Sequence, residues 1–293
     1  MIVIMNDSIN NLYPSMLSDL ERRIVSKKQA SPMIYRYPSM DALMFELRMR
    51  SNIVQAAKDM NASDVGFATF SNSRCNPQYW IRTPNGGFLL RPGVPPSVGI
   101  NDIFQNGQLY AFECAGAIII MLYKAVLSTI GEPAFNYYFQ NLFLRDWQYD
   151  RDLRLITTYN LAETYPGDVL YFKNPDHHPA TPEWQGENVI MLDENLYFGH
   201  GIGMGTGQEM IAALNRARRP GSMVSAYLQN LVLTPDFEAV RRLTMREQVE
   251  AEEAALAAMS AIDEDEGDGI IGAAAGVAAV MAAEDADGEQ LPV

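Results

Sequence analysis

Between Tyr110 and Ile130 the chain carries its most apolar stretch. Tyr110-Ala111-Phe112-Glu113-Cys114-Ala115-Gly116-Ala117 runs into Ile118-Ile119-Ile120-Met121-Leu122, and a polar turn, Asn106-Gly107-Gln108, stops just before it. A helix apolar on all sides is stable only inside a core, so the rest of the chain must be built around this one. The pattern predicts a buried helix opening near Phe112, with Cys114 in its first turn. The first N–H groups of a helix lack backbone partners and carry partial positive charge. A thiol placed there ionises more easily, and the thiolate is the nucleophile. The small residues after Cys114 leave room for a substrate. The alternative is a structural cysteine acting as a small hydrophobe, since free cysteine is among the most buried residue types.

At 293 residues and 48% hydrophobic the chain can bury a sizeable core. Its two cysteines, Cys75 and Cys114, make no disulfide framework and fit a reducing compartment. The N-terminus, Met1-Ile2-Val3-Ile4-Met5-Asn6-Asp7, lacks the basic and apolar regions of a signal peptide. No run reaches the roughly 18 apolar residues of a membrane span. A cytoplasmic protein that does not span a membrane is expected. The net charge of −14 is unevenly placed: residues 250–293 hold twelve acids and no Lys or Arg, leaving 24 acids and 22 bases in residues 1–249. A near-neutral body does not suit nucleic acid. Two regions are therefore expected: a domain over 1–249, and an acidic, Ala/Gly-rich tail over 250–293, mostly disordered.

Taken in order, Met1–Ile4 reads as a strand or arm and Ser15–Ser26 as a polar helix. Residues 33–37 read as extended. Ser39 caps a strong helix running to about Met60. Strands are expected at Val65–Phe70, Gln78–Thr83 and Gly87–Arg91, the last two joined by the hairpin signal Pro84-Asn85-Gly86. Ser97 is placed to cap a short helix to Phe104, and Glu132–Leu142 reads as another helix. The second half changes period. Strands are expected at 167–172, 187–192 and 196–200, then a glycine loop at Gly201, Gly203, Gly205 and Gly207, then a helix from Gln208 to Ala217. Helices and an antiparallel meander around one buried helix indicate a single α+β domain.

The hairpin 187–200 carries the partners that Cys114 needs. With Glu194 central in a three-residue turn, paired positions sum to about 388. Glu187 then lies opposite Gly201, and a small register change sets it beside His200. An imidazole oriented by a carboxylate next to a cysteine forms a thiolate–imidazolium pair. Glu113 is the rival carboxylate. His177-His178, between prolines, reads as a solvated loop, with no ligand set around it for a metal.

Eight segments carry a resemblance: Phe-Glu-Leu-Arg-Met-Arg (45–50), Asn-Ile-Val-Gln-Ala-Ala-Lys (52–58), Phe-Ala-Thr-Phe (67–70), Tyr-Ala-Phe-Glu-Cys-Ala (110–115), Leu-Tyr-Phe-Lys-Asn-Pro (170–175), Trp-Gln-Gly-Glu-Asn-Val-Ile (184–190), Tyr-Phe-Gly-His-Gly-Ile-Gly (197–203) and Ser-Ala-Tyr-Leu (225–228). In order and spacing, over about residues 33–245, they resemble the spore-coat transglutaminases of Bacillus and its relatives. Residues 1–30 match poorly and read as a variable arm, and the tail lies beyond the family's usual end. The resemblance implies a papain-like fold. It implies a catalytic Cys114, His200 and Glu187, no cofactor or metal, and calcium-independent transfer of a glutaminyl acyl group to lysine on spore-coat proteins in the mother cell. The thioester must then be shielded from water. Trp184, Trp147, Phe70, Tyr149 and Trp80 are candidate walls of a substrate channel, with ordinary core packing the simpler reading for Phe70 and Trp80. An amidase or peptidase using water, and a coat scaffold with incidental catalysis, remain the competing readings.

Overall fold

The computed structural model describes residues 1–5, 8–9 and 12–244. The chain divides into two units, Met1–Met245 and Arg246–Val293. The second unit, which holds the expected acidic tail, lies outside the described residues.

Strand β1 (Ile2–Ile4) pairs in parallel with β2 (Tyr35–Tyr37), and helix α1 (Asp19–Ala30) joins them. The helix starts four residues later than expected. Ser18 and Glu21 form a reciprocal capping box there, which fixes the start. Helix α2 (Met40–Ala62) opens where Ser39 accepts the Ala42 N–H. A short strand β3 (Gly66–Phe67) follows, then the hairpin β4 (Trp80–Arg82) and β5 (Phe88–Leu90). Its turn places Gly86 at a φ of 84°, the left-handed region where glycine is favoured. Helix α3 (Pro96–Gln105) is capped by Pro95 with Pro96 in its first turn, not by Ser97.

Strand β6 (Ala111–Phe112) pairs in parallel with β3 and delivers the chain into helix α4 (Cys114–Ile130). Thirteen of its residues are buried, and Gly131 ends it at a φ of 83°. Helix α5 (Glu132–Tyr138) stops short of the expected Leu142, and β7 (Phe143–Leu144) adds a third strand to the β4–β5 hairpin. The remaining strands are β8 (Leu155–Thr158), β9 (Val169–Lys173), β10 (Gly186–Asp193), β11 (Leu196–Gly199), β12 (Gly203–Thr206) and β13 (Tyr227–Pro235). They form one antiparallel sheet in the order β12-β11-β10-β9-β13-β8. Helix α6 (Gly207–Arg216) leaves β12 through a capping box between Thr206 and Glu209, and residues 237–244 are helical. The expected glycine loop is thus half strand: Gly203 to Thr206 pair with β11.

The sheet separates two apolar layers. On one face Val169, Ile190 and Phe198 pack in the main core with α2 and α4. On the other, Leu170, Phe172, Val189 and Met191 meet Met210 and Leu214 of α6. This is the α+β arrangement read from the sequence, a central buried helix on an antiparallel sheet. Its period-two alternation decides which residues of β9 and β10 reach Cys114.

Candidate active site

Cys114 is the first residue of α4, half-buried at the wall of a cavity of about 910 Å³. Facing it across the cavity is β10. Asn188 pairs with Tyr171 of β9 and shares the α4 side of the sheet with Ile190. Its Nδ2 donates to Cys114 Sγ at 3.3 Å. Glu187, one residue earlier, leaves the strand on the opposite face, where Val189 packs against the α6 layer. It finds room because Gly199 and Gly201 have no side chains. A Cβ at Gly199 would sit 2.7 Å from Glu187 Cγ, and one at Gly201 3.1 Å from Oε2. The Gly201 N–H donates to Glu187 Oε1 at 2.8 Å.

The β10–β11 pairing keeps the expected sum, with Val189 opposite Gly199 and Ile190 opposite Phe198. The further register change that would set Glu187 beside His200 is absent. His200 follows β11 and turns the other way. Its Nε2 lies 3.1 Å from the Gly66 carbonyl oxygen, and its ring stacks on Phe112 at 5.0 Å and tilts against Phe67 at 6.0 Å. Among the described residues neither Glu187 nor Glu113 bonds to that ring. Glu113 is instead the N-cap of α4, accepting from Ala115 N at 2.5 Å and Gly116 N at 2.6 Å.

These placements invert the expected electrostatics. Burial pushes the Cys114 thiol up to about 12, the Glu187 charge adds to the shift, and the Asn188 donors oppose it. The helix end that was to favour the thiolate already spends two N–H groups on Glu113. Burial also pushes Glu187 up to about 8, against the Gly201 N–H and with help from the Glu113 charge. Burial drives His200 down to about 4, although the Gly66 and Phe112 carbonyls favour its charged form. Burial thus favours the uncharged form of all three groups, thiol, carboxyl and imidazole.

The walls are partly those expected. Phe70 and Trp147 line the cavity, with Phe67, Tyr171 and Tyr159. Trp184 lines instead a smaller hollow of about 330 Å³ with Gly201, Ile202 and Arg216, and stacks on Phe67 at 5.8 Å. Tyr149 stands outside both, 41% exposed, and Trp80 is fully buried core. Cys75 is half-buried in another loop, where burial raises its thiol to about 11. The sequence reading missed Asn188, Phe67 and Tyr171. The strand alternation next to Glu187 was the signal that could have found Asn188.

A cysteine opening a buried helix beside an antiparallel sheet is shared by many thiol enzymes, and comparison narrows it. A sequence-family model described as "Protein-glutamine gamma-glutamyltransferase" matches residues 1–244. The chain belongs to this family. It is 48% identical over 224 residues to a protein-glutamine gamma-glutamyltransferase of Halalkalibacterium halodurans, covering 76% of this chain and 78% of the relative. A protein of the same name from Bacillus cereus is 46% identical over 233 residues, covering 80% and 84%. A solved transglutaminase from Geobacillus stearothermophilus, described as without its C-terminal extension, superposes with a TM-score of 0.67 at 50% identity. It covers 70% of this chain and 98% of its own. The activity of the family is acyl transfer that cross-links proteins through glutamine and lysine, and no helix among the described residues is long and apolar enough to cross a membrane.

Proposed function

We propose that this transglutaminase works through Cys114 as nucleophile, with Glu187 as the group that takes its proton. The observation that carries this reading is that Asn188, the strand neighbour of the buried Glu187, donates to Cys114 Sγ at 3.3 Å, with the Glu187 carboxyl raised to about 8 and the thiol to about 12. Burial penalises both charged forms, so the proton moves when the glutamine carboxamide is in place and water is displaced. Sγ attacks the γ-carbonyl carbon, the C–N bond breaks, and ammonia leaves with the proton. A γ-glutamyl thioester remains on Cys114. A neutral lysine amine then adds, sulfur departs, and the isopeptide bond forms. Transfer without calcium is part of this proposal and rests on the resemblance. His200, neutral and set between aromatic rings, acts in this reading as a wall that holds β3 and β6 against the site.

Two further parts rest on kinship alone. The substrates are proposed to be glutamine- and lysine-bearing proteins of the spore coat, reached from the mother-cell cytoplasm during sporulation. Phe67, Phe70, Trp147 and Trp184 are proposed to keep water from the thioester. The competing reading, an amidase or peptidase using water, is separated by amine incorporation. A labelled primary amine supplied with a glutamine-bearing protein should be incorporated by wild type with one ammonia released per amine. Ammonia released without incorporation would move the assignment to the amidase.

A further inference from the structure

We infer that Asn188 is the oxyanion-stabilising residue of this enzyme: its side-chain amide, 3.3 Å from Cys114 Sγ, donates to the substrate carbonyl oxygen as that oxygen becomes charged. The inference deepens the proposed mechanism and rests on Cys114 being the nucleophile.

A nucleophile at a helix start commonly draws on the helix's own N–H groups for this purpose. Here they are largely committed. Ala115 N and Gly116 N are held by the Glu113 carboxylate, and Ala117 N donates to the Glu113 carbonyl at 3.0 Å. Of the first four N–H groups of α4, only that of Cys114 has no partner among the described residues. One donor leaves the developing oxyanion half supported, and a second must come from across the cavity.

Asn188 meets the requirement on three counts. It is 8% exposed and lines the cavity that holds Cys114. Its Nδ2 carries two hydrogens, so one can lie on sulfur while the other addresses an oxygen. That oxygen is on the atom bonded to sulfur, so a donor within hydrogen-bond reach of Sγ can also reach an oxygen turned toward it. The position is also fixed beforehand. Asn188 is locked by pairing with Tyr171 in an eight-residue strand buried except at its last residue, and a donor that needs no reorganisation is the effective kind.

As Sγ bonds to the carbonyl carbon, the C=O π pair moves to oxygen, and Asn188 and the Cys114 N–H donate to it. When the C=O re-forms, the C–N bond breaks and ammonia carries away the proton taken from the thiol. The same two donors serve the second addition, in which the amine nitrogen bonds to carbon and gives up one proton, and sulfur leaves with the electron pair and takes that proton to restore the thiol.

The test compares full-length wild type, N188A, N188D and C114A in two reactions. The first is ammonia release from a glutamine-bearing peptide, which passes through an oxyanion. The second is alkylation of the thiol by iodoacetamide, which displaces iodide at a saturated carbon and forms none. For N188A the expected result is a loss of ammonia-releasing kcat of about 10²–10³-fold with KM little changed, while alkylation of Cys114 slows by less than about tenfold. N188D, isosteric but lacking the donors, should lose ammonia release at least as much, and it decides the matter if the truncated variant does not fold. Ammonia release within about threefold of wild type in a folded variant overturns the inference. So does a parallel fall in both reactions, which would confine Asn188 to the sulfur. Ammonia release by C114A would instead remove the nucleophile, and the inference with it.

Discussion

Glu187 is 1% exposed, and its hydrogen bond is to the Gly201 N–H. Burial raises its carboxyl to about 8, and the Glu113 charge adds to the rise. A proton acceptor must be ionised to act. Below pH 8 the carboxyl is protonated, so kcat/KM should climb with pH up to about 8 and then level. E187Q should lose that limb and lower kcat by about 10²–10⁴-fold, the usual worth of a positioned base. H200Q should keep the limb, because the His200 ring faces backbone carbonyls and is neutral over the whole range. Rate profiles of the three proteins between pH 5.5 and 9.5 decide between the two residues, and a limb lost with H200Q rather than E187Q would reinstate the imidazole. The same burial works on stability with a fixed sign. A carboxyl raised on folding contributes stability below its ordinary value of 4.5, and that contribution is lost as pH rises through about 8. At this scale Cys114, Glu187 and His200 were legible as a set because cysteine, histidine and carboxylate are the residue types thiol chemistry requires. Their contacts were not. Whether Glu187 meets His200 depends on which way a side chain leaves β10 at a pair of glycines, and Asn188 belongs to no catalytic residue class.

Among the elements, α2 and the sheet are joined by buried charge. Glu46 accepts from Lys28 Nζ and Arg50 Nε, each at 2.7 Å, and Arg50 reaches Asp168 at 2.7 Å, just before β9. Thr234 of β13 donates to the same Asp168 oxygen at 2.9 Å. Arg50→Met should destabilise the fold by about 3–5 kcal/mol, read from the urea midpoint, since it leaves Asp168 buried without its charged partner. A loss under 1 kcal/mol would show the network to be ornamental. Burial alone would raise the Glu46 carboxyl, but the charges and hydrogen bonds of Lys28 and Arg50 outweigh it and hold it low. A carboxyl lowered on folding contributes stability above its ordinary 4.5 and loses it as pH falls further. Glu46→Gln should therefore flatten the acid side of the stability curve below pH 4.5. Elements with a local signal were readable: Ser39 before α2, the Asn85-Gly86 turn, and the apolar run of α4. Strands β8 and β13 were missed because their exposed polar residues hide the alternation, and three of the four residues of β8 are exposed. β12 was hidden by its glycines, which read as a loop until β11 supplies their hydrogen-bond partners.

For the whole molecule, the family match ends at residue 244 and the first unit at Met245. The near-neutral body therefore contains every residue of the proposed site. Chain truncated after residue 249 should incorporate a small amine into a glutamine-bearing protein at the wild-type rate, and loss of folding on truncation would make the tail part of the domain. The aromatic walls belong to this scale too, because they come from distant parts of the chain: Phe67 and Phe70 before the central helix, Trp147 and Trp184 after it. Trp184→Ala, which unstacks Phe67, should raise ammonia release relative to amine incorporation. An unchanged ratio would remove Trp184 from the shielding role. The central claim is that one thiol, on the cavity wall, carries the acyl group. It is tested most directly by amine incorporation and ammonia release, without added calcium, in wild type, C114A and C75A. Both signals should vanish in C114A and persist in C75A. Persistence of both in folded C114A would contradict it.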